Sequence, residues 1–190
     1  MHFSLTDLIT DITQNGAESG ADLVELQISE KLNSSGNREL HFTVNDNGKG
    51  MTSEQLKRAQ DPFVTDGIKH PHRKVGLGLP FLIQTAESSG GGWEMESEKG
   101  VGTKVSAWFD LSNVDTPPVG SIPEMFRTVL LFTGPEEMVL KRVREAEVPE
   151  ECIEYEVRKT ELAEALGGLE DTQSLILMNQ YLRSLEENEE

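Results

Sequence analysis

The run Val44-Asn45-Asp46-Asn47-Gly48-Lys49-Gly50-Met51 decides how this chain is read. Just before it, Leu40-His41-Phe42-Thr43-Val44 alternates apolar and polar residues, which predicts a strand. The strand stops at an aspartate, and two glycines follow at alternate positions. Glycine permits positive φ and lets a neighbouring group approach where a Cβ would stand. A carboxylate at a strand end beside such a turn is well placed to accept hydrogen bonds from a ligand. An isolated Asp-x-Gly-x-Gly run is most often only a turn. Its meaning depends on what the rest of the chain brings to Asp46.

Upstream, Ser4 to about Ser19 reads as a helix, with Leu5, Leu8, Ile9 and Ile12 on one apolar face. Asp7, Asp11 and Asn15 form a polar stripe beside that face. Gly16 is about 1 kcal/mol worse than alanine inside a helix, so the helix is expected to fray there or to stop at Gly20. Ala21 to Lys31 reads as a strand with Val24, Leu26 and Ile28 on one side, and residues 33–37 as the hairpin turn that returns to Asp46.

Downstream, Thr52-Ser53-Glu54 opens a short helix to about Ala59. Residues 61–75 form a long polar loop carrying Lys69, His70, His72, Arg73 and Lys74, and a loop of that length in a domain points to function or disorder. Gly76-Leu77-Gly78-Leu79 leads into a helix to about Ser88. Trp93–Ser97 and Thr103–Leu111 read as a second hairpin turned at residues 98–102. Residues 113–123, with Pro117-Pro118 and Gly120, have the composition of a linker. Beyond it we expect a strand over Thr128–Thr133 and a helix over Pro135–Ala146. A strand over Cys152–Val157, a short helix over Glu161–Leu166 and a final amphipathic helix over Thr172–Glu187 follow.

Composition bounds the function. The chain has 190 residues and a formal net charge of −17, which argues against a nucleic-acid or anionic-membrane surface. One cysteine, Cys152, cannot form an internal disulfide and fits a reducing, cytoplasmic setting. No apolar run has the length of a membrane span, and the N-terminus lacks a signal-peptide pattern.

Three separated segments carry complementary chemistry. Asn15 can offer a side-chain oxygen to Mg²⁺, which takes few protein ligands when phosphates and water supply the rest. Asp11, one turn earlier, can orient a water or accept a proton. Gly76-Leu77-Gly78 places free backbone N–H groups at a helix start, which suits phosphate. Lys69, Arg73 and Lys74 on the loop come within reach of a γ-phosphate.

In this order the segments resemble the GHKL ATP-binding domain, of Bergerat-type fold, shared by gyrase, histidine kinases, MutL and anti-sigma-factor kinases. Residues 11–21 resemble its N box, 46–51 its first glycine box, and 61–65 the F box that opens its ATP lid. Residues 76–79 are similar to its second glycine box and 100–103 to its closing Gly-Thr segment. The resemblance covers about residues 4–111. It implies Mg²⁺ on Asn15, adenine on Asp46 with Gly48 and Gly50 close to the base, and Thr103 in support. It also implies nucleotide contacts from Lys74, Gly76, Gly78 and Leu79. Asp11 stands as the catalytic candidate where ATPases of the family carry a glutamate.

The expected architecture is α+β: a two-layer sandwich with a mixed, mostly antiparallel sheet. Residues 1–112 form the ATP-binding domain with its lid at 61–75, 113–123 a linker, and 124–190 a small C-terminal α/β extension. The resemblance implies a stand-alone, kinase-like phosphotransfer module that uses Mg-ATP and acts on a partner protein, with room for a homodimer. A non-catalytic ATP sensor with an ATP-ordered lid, or a slow ATPase, is the alternative.

Overall fold

The computed structural model describes residues 4–60 and 78–187. Helix α1 (Leu5–Ala17) begins in a capping box, in which Asp7 N–H donates to Ser4 Oγ and Ser4 N–H donates to the Asp7 carboxylate. Its apolar face, Leu5, Leu8, Ile9 and Ile12, is buried. The helix runs through Gly16 without fraying and ends two residues later, where Glu18 N–H donates to the Gln14 carbonyl at 2.9 Å.

Strands β1 (Leu23–Leu32) and β2 (Arg38–Asp46) form the predicted antiparallel hairpin. Helix α2 (Ser53–Ala59) is capped by Thr52. Helix α3 (Gly78–Ser88) precedes the second hairpin, β3 (Gly92–Glu98) and β4 (Gly102–Asp110), and β4 pairs antiparallel with β2.

Two expectations beyond residue 123 are overturned. Thr128–Thr133 is not a strand, because most of it falls in helix α4 (Ile122–Leu130). Ile122, Met125, Phe126, Val129 and Leu130 recur at helical spacing and are all buried, and Ser121 caps the start. The β-branched look of Thr128 and Val129 yields to that period. Pro135–Ala146 is not a helix but holds strand β5 (Glu137–Arg144). Met138, Leu140 and Arg142 alternate inward, and this period of two overrides the helix-favouring composition of Glu136, Glu137 and Lys141. Strand β6 (Ile153–Arg158), helix α5 (Lys159–Leu166) and helix α6 (Thr172–Ser184) fall close to where the sequence puts them.

The six strands make one sheet in the order β3-β4-β2-β1-β5-β6. Only the β1–β5 pair is parallel, so the sheet is mixed and mostly antiparallel. A single core joins Leu8 and Ile12 of α1, Leu82 of α3, Phe126 of α4 and Met178 of α6 to Leu26, Phe42, Phe109 and Leu140 of the sheet. The architecture is an α+β sandwich. Residues 113–123 run along the start of α1, where Leu5 N–H and Thr6 N–H donate to the carbonyls of Pro118 and Val119 at 2.9 Å. The chain thereby satisfies two helix-start donors that no intrahelical carbonyl can reach.

Candidate nucleotide site

Asp46 is the last residue of β2 and lies in phase with Leu40, Phe42 and Val44, which are buried. A carboxylate on that phase must be hydrogen-bonded to be tolerated. Asp46 is 7% exposed. Its Oδ1 accepts from the Ser19 hydroxyl at 3.0 Å and from Gly48 N–H at 2.9 Å. Its Oδ2 takes no hydrogen bond from the described residues.

The turn after Asp46 is held on three sides. Asn47 Oδ1 accepts from Asp22 N–H and Leu23 N–H at 2.9 and 3.0 Å. Lys49 N–H donates to the Ser19 carbonyl, and the Lys49 carbonyl accepts from Gly100 N–H. A methyl group on Gly48 would lie 1.8 Å from Ser19 Oγ, so only glycine lets the turn close on the end of α1. Gly50 has φ +57, and a Cβ there would lie 1.9 Å from the Glu98 carbonyl oxygen. Both glycines are demanded by geometry.

Across the sheet, Ser97, Thr103, Asp46 and Val24 stand in one row. Residues directly opposed in antiparallel strands point to the same face with Cβ atoms roughly 5 Å apart. Thr103 therefore lies beside Asp46 on the helix side. Its Oγ1 is 2.9 Å from Ser97 Oγ, which also accepts from Met51 N–H and reaches the Gly102 carbonyl, each at 2.9 Å.

The α1 stripe overlooks this row. A methyl group on Gly16 would lie 3.5 Å from Asp46 Cβ, so the residue after Asn15 packs beside the stem of the Asp46 side chain. Asn15 and Asp11 are exposed, one turn apart. The start of α3 abuts them: a Cβ on Gly78 would lie 3.6 Å from Asp11 Cβ and 3.9 Å from Asn15 Nδ2. Gly78 and Leu79 are the first described residues of α3. Among the described residues no group of three His, Cys, Asp or Glu side chains gathers, and no helix is long and apolar enough to cross a membrane.

Asp46, Gly48, Gly50 and Thr103 thus meet at the ends of β2 and β4, and Asp11, Asn15, Gly78 and Leu79 meet where α1 faces α3. Lys74 and Gly76, with the loop at 61–75, lie outside the described residues. Sequence reasoning missed three supports. Ser19, inside the N-box stretch, is the donor that fixes Asp46. Asn47, read only as a turn residue, ties the turn to β1. Ser97 falls on the inward phase of β3 with Trp93 and Met95, and a hydroxyl on an apolar phase was the available signal.

A mixed sheet whose central strand ends in a half-satisfied carboxylate beneath a polar helix stripe makes this an α+β domain with a candidate ligand site. The sequence model of the family described as histidine kinase-, DNA gyrase B-, and HSP90-like ATPase matches residues 3–113, more than half of the chain, and the protein belongs to that family. Among solved structures, the histidine kinase domain of a blue-light-activated histidine kinase from Erythrobacter litoralis is 21% identical. The match covers 48% of this chain and 35% of that one, with a TM-score of 0.29. The Aquifex aeolicus MutL ATPase domain complexed with ADP is 16% identical over 95% of this chain and 70% of that one, with a TM-score of 0.41.

Proposed function

We propose that the protein binds Mg-ATP and serves as a phosphotransfer module acting on a partner protein in signal transduction. The observation that carries the nucleotide reading is Asp46: one carboxylate oxygen is held by two neutral donors, and the other is open on the same face as Thr103. An acceptor fixed in this way suits the exocyclic amine of adenine. The phosphates would run toward Asn15 and the start of α3, and Lys74 is proposed to add positive charge to them.

Asn15 has an exposed amide with no hydrogen bond to a described residue, next to the α3 start. It fits a Mg²⁺ held chiefly by phosphate and water, with one protein oxygen. When bound, that ion would neutralise phosphate charge and ease departure of the terminal phosphoryl group. Asp11, one turn away, would take a proton from the attacking group.

A second reading, a nucleotide sensor, is favoured by Asp11 itself. Its carboxylate is exposed, is one methylene shorter than a glutamate, and accepts no hydrogen bond from a described residue to aim it. The test is incubation with γ-labelled ATP, alone and in a lysate of the source cell. Label appearing on a second protein, and lost in Asp11→Asn while ATP binding persists, supports phosphotransfer. Release of inorganic phosphate without a labelled protein supports slow hydrolysis. Tight binding with neither outcome supports the sensor. Asn15→Ala should make ATP affinity insensitive to Mg²⁺.

A further inference from the structure

Thr103 and Ser97 stand opposite each other at the β3–β4 pair, one strand over from Asp46. A hydroxyl has one proton to give and two lone pairs to receive. Ser97 Oγ has three neighbours at 2.9 Å: Met51 N–H, the Gly102 carbonyl oxygen and Thr103 Oγ1. Met51 N–H can only donate to it, and the Gly102 carbonyl can only accept from it. The single Ser97 proton therefore goes to Gly102. The third contact then has one polarity left, with Thr103 giving its proton to Ser97. The Thr103 hydroxyl faces the rest of the site with lone pairs alone.

The same accounting applies to Asp46. Ser19 and Gly48 N–H both donate to Oδ1, so the carboxylate also offers only an acceptor, Oδ2. The two polar groups that share this stretch of sheet thus present lone pairs and no proton.

We propose that Ser97 is a specificity-setting positioning residue: by taking the Thr103 proton it makes the base site acceptor-only, so that it selects purines with an amino group at C6 and rejects those with a carbonyl there. This inference rests on the nucleotide reading of Asp46 given above. An adenine 6-amino group brings two N–H donors to lone pairs. A 6-carbonyl group would set oxygen against oxygen, and buried acceptors left facing each other are penalised strongly. Ser97 touches neither base nor phosphate in this scheme and acts through Thr103.

The experiment is calorimetric binding to the full chain of Mg-ATP and Mg-ITP, whose bases differ at C6, amino against carbonyl, and at N1, bare in adenine and protonated in hypoxanthine. The variants are Ser97→Ala, Ser97→Thr, Thr103→Val and the Ser97→Ala/Thr103→Val double variant. Wild type should prefer ATP clearly. Ser97→Ala frees the Thr103 hydroxyl to turn and donate, so the ATP-to-ITP preference should fall by roughly tenfold, about one hydrogen bond. Ser97→Thr keeps a hydroxyl and should restore the preference. In the Thr103→Val background, Ser97→Ala should leave the preference where Thr103→Val alone puts it. A Ser97→Ala protein that binds ATP with the wild-type preference overturns the role of Ser97 and leaves the Asp46 reading standing. A change of equal size in the Thr103→Val background also overturns it, because Ser97 would then not act through Thr103. A wild-type protein that binds neither nucleotide overturns both.

Discussion

The sheet carries a buried charge toward each end, and the two are built on opposite plans. Asp46, at the end of β2, is held by neutral donors on one oxygen and is open on the other. Arg142, on β5, is 1% exposed and has a partner for each of its three guanidinium nitrogens. It donates to Glu30, to Glu186 at 3.0 Å and to the Val143 carbonyl at 3.1 Å, while the Tyr155 hydroxyl donates to the same Glu186 oxygen at 2.7 Å. Burial alone would lower the pKa of Arg142, but the Glu186 and Glu30 carboxylates raise it above its ordinary value. Both groups sit on the inward phase of their strands. The difference teaches how to separate architecture from function: a buried charge whose partners neutralise it fastens elements together, whereas one with an acceptor left over is a place for a ligand.

That contrast is open to attack, most forcefully at Arg142. Arg142→Met leaves Glu186 without its cation and Glu30 with Arg38 alone, and should lower stability by ~3 kcal/mol in chemical denaturation, while ATP affinity stays at the wild-type value. A parallel loss of affinity would show that the two ends of the sheet are one system. Asp46→Asn should do the reverse. It replaces a charged acceptor with an amide that can present N–H to the base, and ATP affinity should fall about 100-fold by calorimetry. The midpoint of denaturation should barely move. An unchanged affinity would remove Asp46 from the site.

Alkaline titration probes the Arg142 cluster more gently. Burial, and then the hydrogen bond and charge of Glu186, push the Tyr155 phenol above its ordinary value of 10.0. A group whose folded pKa is raised contributes stability below its unfolded pKa and loses it above. Wild type should therefore lose stability as pH rises past about 10, and Tyr155→Phe should flatten that decline. An identical slope in the two proteins would dissociate Tyr155 from it. The smallest effect is expected at Gly16. A Cβ there would make ordinary contacts, 3.5 Å from Asp46 Cβ, Val24 Cγ1 and Val44 Cγ1. Gly16→Ala should stabilise the protein by ~0.5–1 kcal/mol, measured by thermal melting, without weakening ATP binding.

Much of the site was legible in the sequence because its groups lie at element boundaries, where residue type is constrained. A strand-ending aspartate and close-approach glycines each have a local physical signature, and Asp46, Gly48 and Gly50 all showed theirs. Ser19 was not legible, since its role comes from a hydrogen bond to a residue 27 positions away that only the fold creates, and the phase of Ser97 signalled an inward hydroxyl but not its bond to Thr103 across the β3–β4 pair. The region after 123 was misread where two periods compete. In Thr128-Val129-Leu130-Leu131-Phe132-Thr133 a short apolar run fits strand and helix alike, and only the upstream Ile122, Met125 and Phe126 settle it. The Glu- and Lys-rich stretch of β5 favours helix by propensity and becomes strand because it lies along β1.

The parallel pairing of β1 with β5 has a practical consequence for anyone who wishes to work with the family-matched part alone. Residues 3–113 end before α4, β5 and β6 are made. A chain cut there would bare the long side of β1, with its unpaired backbone groups beside Val24, Leu26 and Ile28, and would strip α1 of the carbonyls that cap it. Such an exposed strand edge invites pairing with another chain. A shortened protein of that kind is expected to aggregate, and a shorter chain that still folds will need its last cut placed after Glu186.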